Sequence, residues 1–559
     1  MRDNGRATPG STRRGVMRAL LLGGLCPSIT ARALTSSSVA DNVHRFNFAE
    51  VVRRARELAL TPFDGALRRL PPGIDSLDFD SWRDIRFRPD RAIPLDAAKS
   101  YRLETFHLGF LYKRAVAINL VEKGIVTPLL YSPGCFDYGR VKLNKPLPSD
   151  TGFAGLRLHY PLNDPRVSDE LISFLGASYF RFLGREQQYG LSARALCVEA
   201  GTSEESFPYF REFWLEVSEE GEGRATIYAL LDGEAATGAY RFDVAPGQQT
   251  TLDVAATLFP RRAGVKFGLA PLTSMYLTGE NDHRVRDGFR DELHDSDGLL
   301  MLTGADEWIW RPLSNPSSER TTSFTDKSVK GFGLMQRDRI FESYQDLELA
   351  YESRPSYFVE PKGDWGAGRV ELIELSTPDE SNDNIVASWT PKTPPAPLQP
   401  FSYAYRLTAS LDDRSLSPSG RVVNTFTAPA RALGSAEKAR PGACRFLVDF
   451  ARGDLAYYLT DPSEVEAVAT ATKGVILRSS VVANPHIEGL RAMFDVAVAP
   501  GATSDLRVYL RAGARSLTET WTFPWTAPAL QTSPQTLAAD RPDGPDLQAA
   551  TLSQQPIRN

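Results

Sequence analysis

The sequence predicts an all-β fold, a large β-sandwich followed by a smaller one, and three observations carry that expectation. Apolar residues recur in short alternating or continuous runs bounded by Gly, Pro and Asp. Glycine and proline number 42 and 39 in 559 residues, as a chain with many turns requires. Long helical periods are few. The length exceeds that of one ordinary domain, so two or more packed cores are expected.

The first 33 residues read as an address. Ser11-Thr-Arg-Arg-Gly-Val-Met-Arg18 has the form of a twin-arginine signal, Ala19-Leu-Leu-Leu-Gly-Gly-Leu25 is its apolar run, and Ala31-Arg-Ala33 offers a small-x-small cleavage site. The apolar run is too short to span a membrane, so an exported, soluble protein is expected. Cys26 leaves with this segment and is a poor lipoprotein candidate behind the bulky Leu25. Cys135, Cys197 and Cys444 remain, an odd number without CxxC spacing, and packing is their expected role.

Residues 46–59 show helical apolar spacing and predict one amphipathic helix. From about residue 85 strands take over, among them Tyr101-Arg-Leu-Glu-Thr-Phe-His-Leu108, Gly155-Leu-Arg-Leu-His-Tyr160, Ala225-Thr-Ile-Tyr-Ala-Leu-Leu231 and Gly238-Ala-Tyr-Arg-Phe-Asp-Val244. These belong to a first domain over 34–390. Residues 391–400 form a Pro-rich, stiff linker. The strand-like runs of 401–527 fit an immunoglobulin-like sandwich, and 528–559 has the composition of a disordered tail.

Charge narrows the function. With 64 basic and 69 acidic residues the formal charge is -5, which argues against a nucleic-acid or other generic polyanion partner. The six histidines are scattered with no HxH or HExxH spacing. Asp295-Ser-Asp-Gly298 lacks the remaining ligands of a calcium loop, so neither metal nor cofactor is expected.

Two acidic turns stand out. Thr377-Pro-Asp-Glu-Ser-Asn-Asp-Asn384 joins the strand-like runs 369–375 and 385–389, with Pro378 stopping either strand from continuing. His294-Asp-Ser-Asp-Gly298 precedes the apolar Leu299-Leu-Met-Leu302. Between and around them lie Tyr276, Glu280, Asp282, His283, Trp308, Trp310, Arg311, Tyr344, Tyr351 and Tyr357. Aromatic faces pack on the C–H faces of glucose while Arg and carboxylates take its hydroxyls, so this mixture suits a sugar cleft. A single Trp or Tyr in a sandwich nevertheless packs in the core more often than it faces a ligand. Glycoside hydrolysis needs one protonated and one ionised carboxyl, which two acidic turns can supply.

At these residues the chain resembles the periplasmic glucan biosynthesis proteins OpgG and OpgD, also called MdoG and MdoD, and the OpgD branch more closely. The resemblance runs through Phe153-Ala-Gly-Leu-Arg157, Phe174-Leu-Gly-Ala-Ser-Tyr-Phe180, Tyr189-Gly-Leu-Ser-Ala-Arg194, Leu269-Ala-Pro-Leu-Thr-Ser-Met275, Gly331-Phe-Gly-Leu-Met-Gln-Arg-Asp338, Asp383-Asn-Ile-Val-Ala387 and Leu517-Thr-Glu-Thr-Trp521. It implies a galactose-mutarotase-like first sandwich and an immunoglobulin-like second one. It also implies action on linear β-1,2-glucan in the periplasm, with inversion, by a glycoside hydrolase or transglycosylase. Asp383 matches the general acid of that family, and Asp295 its general base, with neighbouring Asp297 an alternative base. The acid should be held protonated, the base ionised, and the two carboxyls roughly 6.5 to 9.5 Å apart, or farther with a proton relay. Cyclisation and a non-catalytic assembly role beside the inner-membrane glucan synthase stay open, as does oligomeric state, a homodimer included. Two departures are noted: Ser388 stands where many relatives carry an aromatic residue, and Arg290-Asp-Glu-Leu-His294 lacks a proline common in that approach.

Overall fold

The computed structural model describes residues 45–217, 223–281, 288–412, 416–431 and 440–529. The expected signal segment, the tail from 530 onward, Asp282 and His283 lie outside the described residues. Asn47 opens the expected helix, Phe48–Ala59, by accepting the Ala49 N–H at 2.9 Å. Its buried Val51, Ala55 and Ala59 repeat every four residues and pack on Trp214, Tyr228 and Phe259 of the sheet beneath. Among the described residues no helix is long and apolar enough to cross a membrane.

The fold is all-β and sandwiched, as the patterning requires. One sheet has 11 strands and another 15, with a four-stranded sheet and two small ribbons beside them. The two large sheets enclose one continuous core that includes Leu156, Phe174, Phe242, Leu272 and Trp389. Strand Phe267–Ser274 is buried at all eight positions and Gly331–Met335 at all five, which is why both read as nearly unbroken apolar runs. The four-stranded sheet, made of Arg421–Pro429, Ala443–Ala451, Gly489–Ala497 and Val475–Asn484, closes a second core around Phe446, Phe494 and Trp521.

The two cores share a sheet. Strand Phe401–Ser410, expected at the head of the second sandwich, is inserted between Thr250–Pro260 and Ser356–Lys362 of the first. Strand Thr520–Thr526 pairs in parallel with Trp308–Pro312, Ile309 opposite Thr520 and Trp310 opposite Trp521. The Pro-rich stretch therefore connects Ile385–Pro391 of one large sheet with Phe401–Ser410 of the other, and the Leu398 N–H bonds the Pro260 carbonyl at 2.8 Å on the way. One glycine is dictated by contact: a Cβ on Gly298 would meet the Trp310 ring at 2.2 Å. The Asp-Ser-Asp-Gly turn can lie against that indole only because residue 298 has no side chain.

Candidate active site

The two acidic turns meet because one strand breaks between them. Phe267–Ser274 pairs with Ile385–Pro391 as far as Ser274 opposite Ile385. After Met275 the chain pairs instead with Leu293–His294, Tyr276 standing opposite His294. Residues 274–276 thus carry one acidic turn on each side. On one flank the Asp295 N–H donates to the Met275 carbonyl at 2.8 Å, and the Ser274 and Ser296 hydroxyls bond at 2.9 Å. On the other the Asn384 N–H donates to the Ser274 carbonyl at 3.1 Å. The Asn384 side chain clasps Tyr276, accepting from its N–H at 2.8 Å and donating to its carbonyl at 3.0 Å. Asp295 and Asn384, the residue after Asp383, are therefore held against the same three residues.

Their environments differ. Asp295 is buried, and one of its oxygens accepts from the guanidinium of Arg354, which itself lies 3.7 Å over the Tyr351 ring. Asp383 keeps exposed surface, yet the protein massed around it and then the charge of Asp295 push its carboxyl above the ordinary range, with Arg181, Arg194 and Arg354 opposing. Because water reaches it, the upward push is smaller than full burial would give. One carboxyl is biased toward its acid form, and near it another is buried against a guanidinium.

The loop bearing Asp383 is shaped on both sides. Thr377 and Asn315 exchange two bonds, 3.0 and 2.9 Å, and the Ser381 N–H caps the Asp379 carboxylate at 2.9 Å. Arg290 reaches Glu380 at 2.6 Å and Asp346 at 3.0 Å, so the segment before His294 is pinned by an ion-pair bridge. Ser388 is buried against Gly268 within its sheet.

A groove lies close to Asp383. Tyr179 and Arg181, both electrostatically coupled to Asp383, line a concavity of about 810 Å³ with Tyr112, Phe106, Glu170 and Phe207. Through Phe106 it adjoins a second open region of about 1020 Å³ that includes Trp82 and Tyr138. The Arg194 guanidinium stacks at 4.7 Å on Tyr179 and 5.2 Å on Phe207, two rings that line this groove.

Most of the aromatic residues expected to bind substrate lie elsewhere. Tyr357 is fully buried and bonds the Phe182 N–H and carbonyl, leaving no ring face for a sugar. Arg311 is fully buried against Glu374 at 2.8 Å; burial draws its pKa down to about 10 while Glu374 opposes. Trp310 lies in the second core under the Arg337 guanidinium at 3.7 Å. Trp308 is half-buried near Phe358, also at that core. Tyr344 is buried, stacked on Tyr351 at 5.7 Å, and of this pair only Tyr351 touches the residue that holds Asp295. Tyr276 and Glu280 line a closed space of about 20 Å³ behind the strand break, with Glu292, His294 and Asp297. Burial, then Glu292, raises the Glu280 carboxyl well above its usual range. Asp297 accepts the N–H groups of Arg337 and Asp338 at 2.7 and 2.9 Å and so shapes a turn.

Sequence reasoning missed Arg354, Arg181, Tyr179 and Tyr112. The requirement that a buried Asp295 have a cation was a usable signal, but its partner lies 59 residues away.

Fold and site together define a large all-β protein with two unlike carboxyls at a strand break beside an aromatic groove. The family model described as "Periplasmic glucan biosynthesis protein, MdoG" matches residues 46–525. The chain is 41% identical over 528 residues to a "Probable glucans biosynthesis protein D" of Shewanella oneidensis, covering 94% of this chain and 96% of that one. It is 42% identical over 488 residues to a "Glucans biosynthesis protein D" of Xanthomonas campestris pv. campestris, covering 86% and 91%. A "Glucans biosynthesis protein G" of Ralstonia nicotianae is 43% identical over 484 residues, covering 86% and 95%. The chain belongs to the MdoG family of periplasmic glucan biosynthesis proteins.

Proposed function

We propose that the protein works in the periplasm, in glucan biosynthesis, as an inverting endo-β-1,2-glucanase acting on linear β-1,2-glucan. The observation that carries this reading is the unlike pair flanking 274–276: an accessible carboxyl, Asp383, biased toward its acid form, and a buried one, Asp295, bonded to Arg354. The glucan lies along the groove across Tyr179 and Arg181, with sugar units extending on both sides of the cleavage point. Asp383 gives its proton to the glycosidic oxygen as the C1–O bond breaks, and the bonding pair leaves with that oxygen. Water adds to C1 from the opposite face, and its proton passes to Asp295, directly or along a hydroxyl, so the anomeric configuration inverts. Arg354 holds the Asp295 carboxyl group in place for that transfer.

Purified protein incubated with linear β-1,2-glucan should release shorter linear chains whose new reducing ends are first α by proton NMR. Asp383→Asn should lower the rate by roughly 10²- to 10⁴-fold while binding of the glucan is kept. Cyclic products would assign the step to a sugar hydroxyl in place of water. An inert wild type, or full activity in Asp383→Asn, would remove the catalytic reading in favour of a binding or assembly role.

A further inference from the structure

Behind Asp295 lies a hydrogen-bonded chain that the reaction above does not use. His294 is fully buried, with Nδ1 2.8 Å from Gln336 Oε1 and Nε2 2.8 Å from Glu292 Oε2. The Gln336 amide cannot be turned round. Its Nε2 faces three oxygens, the His294 carbonyl at 2.9 Å, the Tyr344 hydroxyl at 2.8 Å and the Tyr351 carbonyl at 3.4 Å, and an oxygen in that place would oppose two carbonyls. Gln336 Oε1 therefore accepts, and His294 Nδ1 carries a proton. The other nitrogen faces a carboxylate oxygen at hydrogen-bond distance. Gln336 thus grips residue 294 at both its ring and its carbonyl, immediately before Asp295.

We propose that Glu292, His294 and Gln336 form a buried brace, with His294 as an imidazolium, that positions Asp295 for its role as the base. Every charged neighbour fits that assignment. Glu280, Glu292 and Asp297 line the same closed space, Asp338 and Arg337 complete it, and the Arg337 guanidinium is engaged by Glu519 at 2.6 and 3.1 Å. An imidazolium at the centre offsets carboxylates that would otherwise repel one another. Tyr276 stacks flat on the ring at 5.3 Å, 9° from parallel, and Tyr344 meets it edge-on at 5.4 Å, so the ring cannot turn to another partner. His294, Glu292 and Gln336 are positioning residues, since they act through Asp295.

The kinetic part of this inference rests on the glucanase reading; the protonation part does not. The chain has six histidines, so full-length protein labelled with ¹⁵N-histidine gives a resolvable set of ring signals. At pH 7.5 one ring, absent in His294→Asn, should show two exchange-protected N–H protons, and Glu292→Gln should remove the one on Nε2. On linear β-1,2-glucan, His294→Leu should lower kcat by about 100-fold with KM within about twofold, as a displaced base would. His294→Asn, which can still donate to Gln336, should recover at least about tenfold of that loss. A single protected N–H at pH 7.5 would overturn the brace, as would a folded His294→Leu of unchanged kcat. If His294→Leu does not fold, the spectrum and the Asn variant decide. If wild type cleaves nothing, the glucanase reading falls and the spectrum alone judges the buried charge.

Discussion

Replacing Asp295 by Asn keeps the shape of the residue and deletes its charge, so it isolates what Asp295 does to Asp383. Asp295 is the second contributor, after burial, to the raised pKa of Asp383. At a separation of about 8 Å, the kind of spacing inversion uses, a unit charge would contribute about 0.5 to 2 kcal/mol for effective dielectric constants between ~80 and ~20. That corresponds to roughly 0.4 to 1.5 pH units. Asp383 is exposed, which selects the lower half of the range. Arg354, deprived of its partner, then acts more fully on Asp383 in the same downward direction. The Asp383 pKa should therefore fall by about 0.5 to 1 unit. The assay is a pH titration of ¹³C-labelled aspartate carboxyls by NMR, with Asp383→Asn used to assign the signal. A pKa unchanged within about 0.2, or a rise, would refute the claim that the two carboxyls face each other at one site.

Two further predictions concern stability. Glu374 is fully buried and accepts from Arg311, Arg320 and Ser314, so Glu374→Gln leaves the Arg311 cation uncompensated and should cost about 3–5 kcal/mol in urea unfolding; a loss under about 1 kcal/mol would show that the pair is solvated. Burial alone draws His294 down, but the bond to Glu292 and the charges of Glu292 and Asp297 more than reverse it, to about 9 from 6.5. A pKa raised in the folded state gives stability that is fully present below about 6.5 and lost as pH rises through about 9. Wild-type stability should decline across that window while His294→Asn declines less, as urea unfolding at stepped pH will read.

Much of the fold was legible because strand and helix periods are local properties. The spacing of Val51, Ala55 and Ala59 marks the helix, and residues 155–160 and 385–389 read as strands that occur at Gly155–Tyr160 and Ile385–Pro391. The acidic turns were legible for the same reason, since Pro378 and the Asx-rich stretch force a crossing. The aromatic candidates were not. Alternation tells which face of its strand Tyr357 occupies but not that Phe182 of the opposing sheet covers that face, and Arg311 looks like a sugar ligand until Glu374 is brought to it from 63 residues away. The groove escaped notice because Tyr112 lies in a loop far from the strand Tyr179–Phe182 that carries both Tyr179 and Arg181, and only the folded sandwich gathers them.

Strand 401–410 has consequences for how such a chain can be cut or shuffled. Its neighbours on both sides come from earlier in the sequence, so a truncation just before residue 401 would strip hydrogen bonds from two long strands at once. The exposed borders would invite intermolecular pairing and precipitation. A shortened version that stays dispersed has to retain residue 410, and natural recombination that exchanges the distal module has to rejoin the chain beyond it.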